Sequence, residues 1–158
     1  MHPPLLVVGH DELRLRATRD ALAYGRLLNP LVPCRDAVEA TDYVHGRPPY
    51  DDRAVTPAPV VVVTALHLPR GSGLDVLRVV RSNLCDRRTP VIVVADDAEE
   101  SEIDEVHRLG AAAFLDGSVA ADVLLDVIRD THIPWALDHN RARPVDPARL
   151  APVRERGA

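Results

Sequence analysis

The run Pro59-Val60-Val61-Val62-Val63-Thr64-Ala65-Leu66-His67-Leu68-Pro69-Arg70 decides the fold. Its four consecutive valines are too short a stretch for a helix and lack the polar alternation of a strand with one wet face. Residues 60–63 therefore read as a strand buried on both faces, the central position of a parallel sheet. Downstream, Ser72 is placed to cap a helix whose Leu74, Leu77 and Val80 fall on one face.

The pattern repeats on either side. Leu5–Val8 reads as a strand broken at Gly9, followed by a helix from Asp11 or Glu12 to Tyr24 with Leu13, Ala17 and Ala21 on its inward stripe. A weaker strand at Leu31–Cys34 precedes a helix at Ala37–His45. The segment 46–59 is an exposed loop, because Pro48, Pro49, Pro57 and Pro59 cannot serve a hydrogen-bond ladder. Further strands fall at 91–94 and 112–115. Asp97 with Glu100 offers a capping box for a fourth helix carrying Ile103, Val106 and Leu109, ended by Gly110. A fifth helix, 119–130, places Ala120, Val123, Leu124 and Val127 on a core stripe. Strands alternating with helices make the class α/β, doubly wound around a parallel sheet.

Composition sets the outer limits. A chain of 158 residues, 46% hydrophobic and 27% charged, has material for one ordinary domain and excludes a wholly disordered chain. No apolar stretch is long enough to span a bilayer and no basic leader precedes the first strand, so a cytoplasmic protein without membrane partners is expected. A net charge of −5 argues against a nucleic-acid partner, which requires a concentrated basic face. Cys34 and Cys85 are too few for a disulfide framework or a zinc site. Every basic residue is arginine, so nothing here can supply a lysine ammonium.

Two features go beyond what one sheet needs. Ala121, Leu125 and Ile128 form a second apolar stripe on the fifth helix, which suggests an interface, consistent with a homodimer. From His132 onward four prolines forbid a long helix, and five arginines stand against three acids. Residues 132–158 therefore read as an extended arm beyond a domain of residues 1–131, with Trp135 as an anchor onto the domain or a second copy.

In an open parallel sheet the chemistry gathers where the strands end. Those ends carry Gly9-His10-Asp11, Ala65-Leu66-His67, Ala95-Asp96-Asp97 and Asp116-Gly117-Ser118. The order of elements resembles the receiver domain of bacterial response regulators, most closely the stand-alone group that partners phytochrome-type histidine kinases. So do the segments Leu5-Leu6-Val7-Val8-Gly9-His10-Asp11, Gly46-Arg47-Pro48-Pro49-Tyr50, the valine run with its sequel, Pro90-Val91-Ile92-Val93-Val94-Ala95 and Gly110-Ala111-Ala112-Ala113-Phe114-Leu115. The resemblance covers about residues 4–131. It implies a flavodoxin-like or CheY-like (βα)5 sheet in strand order 2-1-3-4-5, and a role in two-component (phosphorelay) signalling with a histidine kinase or another signalling protein as partner.

The resemblance also implies what is missing. A working receiver carries an acidic pair after its first strand to hold Mg²⁺ and an aspartate after its third to take the phosphoryl group. Gly9, His10 and Ala65 stand at those positions, with Asp11 the one carboxylate left nearby and His67 at the rim. The family's hydroxyl falls on Ala95 and its lysine on Gly117, with Ser118 where a proline is usual. Only the aromatic switch position keeps its character, as Phe114. Losing nucleophile, metal ligands, hydroxyl and lysine together implies an atypical receiver, a pseudo-receiver that requires no cofactor. It would act independently of phosphorylation, by protein–protein contact through the face of helix 4, strand 5 and helix 5, and would not be an enzyme.

Other readings of the same residues stand beside this one. The emptied pocket could accept a small-molecule ligand, making the chain a sensor. His10, Asp11 and His67 could converge on a transition metal, although as loop residues they are equally solvent-facing polar groups. A hydrolase built on Ser72, His67 and Asp96 or Asp97 is more remote, since Gly71-Ser72-Gly73 is not a nucleophile elbow and Ser72 suits a helix cap. Asp96 and Asp97 are read as a cap and a solvated acid, and Asp116 as a turn residue.

Overall fold

A computed structural model of the chain describes residues 3–24, 29–83 and 88–117 and, beyond them, Leu124, Asp126 and Val127. In chain order the elements are β1 (Leu5–Val8), α1 (Glu12–Tyr24), β2 (Leu31–Cys34), α2 (Ala37–His45), β3 (Val61–Ala65), α3 (Gly73–Ser82), β4 (Val91–Ala95), α4 (Glu100–Arg108) and β5 (Ala113–Asp116). The five strands form one sheet in the order β2-β1-β3-β4-β5, with every pair parallel. This is the doubly wound topology expected from the sequence.

The valine run lies at the centre as its composition requires, but the strand starts one residue later, at Val61, and ends two later, at Ala65. Val60 donates its N–H to Pro4 O from just outside the sheet, and the strand extends through Thr64 and Ala65 instead. β4 and β5 likewise run one residue further toward their carboxyl ends, to Ala95 and Asp116. Asp116 thus ends a strand and is not the turn residue its neighbours suggested.

Alternate side chains feed two cores. Leu6, Val8, Val62, Val91 and Val93 pack with Tyr43, Leu77 and Val106 of α2, α3 and α4. Leu5, Val61, Val63, Ile92 and Leu115 pack with Leu22, Leu124 and Val127. Burying each such side chain contributes about 1.5–3 kcal/mol, the main force against chain entropy.

Local chemistry sets the helix ends. The Ser72 hydroxyl accepts from the Asp75 amide while the Asp75 carboxylate accepts from the Ser72 amide, a reciprocal cap that starts α3. Gly46, at φ 67°, ends α2 in the left-handed conformation that glycine adopts without strain. The loop after it is anchored more firmly than its prolines suggest. The Arg53 Nη2 donates to Val44 O at 2.8 Å, and the buried Tyr43 hydroxyl donates to Pro57 O at 2.7 Å.

Two sequence expectations fail here. The inward stripe of α1 is not Leu13, Ala17 and Ala21: Leu13 is 76% exposed, and Thr18 and Leu22 are the buried positions. α1 is polar enough that two stripes compete, and the wide, strongly apolar Leu22 wins over alanines. The cap of α4 is also displaced, to Glu99, whose amide donates to the Glu102 carboxylate at 3.0 Å. Asp97 stays in the β4–α4 loop, where its carbonyl meets His67. Most of the fifth helix, including Ala121, Leu125 and Ile128, and the arm with Trp135 lie outside the described residues.

Candidate functional site

Register brings the strand ends together. Val8 pairs with Thr64 and Val94 with Ala65, so Gly9, Ala65 and Ala95 stand side by side at the carboxyl edge. A Cβ placed on Gly9 would lie 3.7 Å from the Ala65 Cβ. Backbone bonds fix the edge: Gly9 N donates to Cys34 O, Leu66 N to Val94 O and Gly117 N to Ala95 O, at 2.8–3.0 Å. A cavity of about 310 Å³ opens here, bordered by Gly9, His10, Asp11, Ala65, His67 and Ala95. Its floor continues downward between α1 and the sheet over Val7, Val63, Val94 and Leu124. The remaining sequence candidates lie elsewhere: Gly117 sits beside the rim, and Phe114 is buried in the core cluster shared with α2, α3 and α4.

This arrangement offers no nucleophile at its centre. The Ala65 and Ala95 methyls can neither accept a phosphoryl group nor hydrogen-bond one. The Ser72 hydroxyl is occupied as the α3 cap. A hard divalent cation such as Mg²⁺ requires several oxygen ligands on one centre. Among the described residues no group of three His, Cys, Asp or Glu side chains is placed to hold a metal ion. The Asp11 Oδ1 instead accepts the Arg14 amide at 3.1 Å, turning the chain into α1. His67 Nε2 lies 3.0 Å from Asp97 O, tying the β3–α3 and β4–α4 loops together. The residues therefore do not fit Mg²⁺. His10, Asp11 and His67 are likewise not brought together as a metal set.

One functional group escaped the sequence reading. Arg14 Nη2 reaches across the mouth of the cavity and donates to both Asp96 oxygens at 2.6 Å. A Cβ on Gly117 would run into Asp96 Oδ1 and stand 2.7 Å from Arg14 Nη2. The ion pair thus fills the space that a side chain at 117 would need. No local signal marks the pair, since its partners stand 82 positions apart in sequence. Asp96 is accordingly an ion-pair partner and not a helix cap.

Beside the site, two groups are held away from their ordinary values. Burial pushes the Cys34 thiol up to about 12, helped by the Glu39 carboxylate, so it is a packed hydrophobe rather than a reactive thiol. Burial also raises the Asp36 carboxyl, but this is outweighed by the hydrogen bond and charge of Arg70 and by the Glu39 amide, which hold it below the usual carboxylate range.

The chain is similar to receiver proteins of known structure. The bacteriophytochrome response regulator RtBRR is 30% identical, with a TM-score of 0.75 over 98% of this chain and 90% of that one. The bacteriophytochrome response regulator AtBRR is 32% identical, with a TM-score of 0.73 over 87% of this chain and 97% of its own. Among curated proteins, the sensory/regulatory protein RpfC of Xanthomonas campestris pv. campestris is 38% identical over 71 residues. That match takes in 44% of this chain but spans only 10% of RpfC. No protein-family model matches the chain.

Proposed function

The chain belongs to the response-regulator receivers, signalling proteins of the group that includes the bacteriophytochrome response regulators, and from that premise we propose that it signals independently of phosphorylation. It acts by protein–protein contact, with a phytochrome-type histidine kinase as partner. Its contact surface is the face of α4, β5 and the fifth helix, and it works as a homodimer. Residues 1–131 form the receiver-like domain, and residues 132–158 form an arm that clasps a partner or a second copy. The protein performs no catalysis and acts in the cytoplasm. Among the described residues no helix is long and apolar enough to cross a membrane.

The observation that carries this reading is the methyl group of Ala65 at the end of the central strand, facing Gly9. With neither a carboxylate to accept phosphate nor a pair to hold Mg²⁺, the chemical input of the family has no entry point. Leu124 and Val127 are buried against the sheet, at 1% and 7% exposure, and the sequence spacing of Ala121, Leu125 and Ile128 supports a second apolar stripe for contact.

The test uses an autophosphorylated phytochrome-type kinase labelled with ³²P. The reading expects this protein to co-elute with the kinase in size-exclusion chromatography while acquiring no label. Label transferred to the protein overturns phosphorylation independence, and separate elution in both kinase states overturns the partner.

A further inference from the structure

We propose that the cavity beneath the Arg14–Asp96 pair is a binding site for a small apolar monocarboxylate, with Asp96 as a built-in stand-in for the ligand's acid group. This goes beyond the signalling role above and does not depend on it.

The cavity's volume of about 310 Å³ matches the lower end of small-molecule sites. Its walls divide by chemistry. Val7, Val63, Val94 and Leu124 give an apolar floor against the sheet, where a flat hydrocarbon body is driven by the area it removes from water. At the mouth stands one guanidinium, that of Arg14. A planar fork of this kind recognises a carboxylate by paired, charge-assisted hydrogen bonds.

The asymmetry of the pair makes exchange feasible. The Arg14 side chain is 28% exposed, whereas Asp96 is 65% exposed. An arginine half withdrawn from water needs an acceptor, but an aspartate in water can rotate away and regain its hydration. A ligand carboxylate arriving from the cavity side therefore replaces one acceptor by another, and its apolar body supplies the surplus. The other nearby acids do not oppose this strongly. Asp11 and Asp97 are both solvent-exposed, so water and salt screen them, and Asp11 is engaged by the Arg14 amide.

The probe is 2-naphthoate, with 2-naphthamide as its uncharged isostere and 2-naphthylmethylamine as its cationic counterpart, titrated into the full chain by calorimetry. The naphthoate is expected to bind with a dissociation constant below about 1 mM, and the amide and amine at least about tenfold more weakly. Arg14→Gln is expected to lose about tenfold of that affinity, and Asp96→Asn to gain a few-fold because the internal competitor is weakened. Should Arg14→Gln fail to fold, the Asp96→Asn titration and the three-ligand ranking decide alone. The proposal is overturned if the amide or amine binds as well as the acid, if Asp96→Asn weakens binding, or if naphthoate shows no heat at 5 mM.

Discussion

Gly9 and Ala65 face each other across the carboxyl edge of the sheet, so close that a methyl on residue 9 would touch that of residue 65 at 3.7 Å. This is ordinary van der Waals contact, so the pocket has room at its centre. The same edge is closed on its other side. A Cβ on Gly73 would lie 2.5 Å from Ala65 O and 3.0 Å from Leu66 Cα, and those are backbone atoms that cannot yield.

The two glycines should therefore respond oppositely to one methyl group. Gly73→Ala is expected to destabilise the fold by about 1–3 kcal/mol, the usual range for overpacking against rigid neighbours. Gly9→Ala should lie within about 0.5 kcal/mol of the parent chain, as for a substitution that meets no obstacle. Urea denaturation measures both. A tolerated Gly73→Ala would mean that α3 does not start as tightly against β3 as described.

The Asp36–Arg70 contact gives a pH dependence whose sign follows from its geometry. Arg70 Nε donates to Asp36 Oδ2 at 2.8 Å, and the native carboxyl titrates below its unfolded value. A depressed carboxyl contributes stability that is present above the unfolded value of about 3.9 and lost as pH falls through the lower native value. Stability should hold from neutrality to about pH 5 and decline below it. Asp36→Asn should flatten part of that decline in acid-denaturation curves. Asp36→Ala, which also removes the α2 cap, should cost about 1 kcal/mol at pH 7. An unchanged acid slope in Asp36→Asn would separate the contact from the pH response.

How much of this was legible in advance depended on how many forces agreed at each position. The valine run and the strand at 91–95 were readable because β-branched composition, turn residues and length all pointed one way, whereas Leu31–Cys34, with Pro33 inside it, was legible mainly from the alternation of strands and helices. α2 ended where Gly46 required, and α3 began where Ser72 could cap it. α1 was misread because its pattern of alanines and charges supports two stripes, and only docking against the sheet selects Thr18 and Leu22. The cap of α4 moved to Glu99 because Asp96, Asp97, Glu99 and Glu100 all offer starts and only Glu99 has Glu102 three residues on to close the reciprocal cap. The pocket residues Gly9, Ala65 and Ala95 were found because a parallel sheet dictates where its strands end. Arg14 was not, because its meeting with Asp96 spans 82 positions of sequence and follows from the empty space over Gly117, which no local pattern records.

The proposed homodimer yields a direct measurement. Leu125→Glu and Ile128→Glu each place a carboxylate in the second apolar stripe of the fifth helix, where its desolvation would oppose association. Light scattering should give the mass of two chains for the parent protein and of one for either variant. A parent that scatters as a single chain, or variants that remain paired, would remove the proposed surface.

The central claim is that residue 65 cannot take a phosphoryl group, and intact-mass spectrometry after incubation with acetyl phosphate and Mg²⁺ tests it most directly. The account predicts a spectrum unchanged from the untreated chain. A stoichiometric, hydroxylamine-labile phosphoryl adduct on the native protein would contradict it.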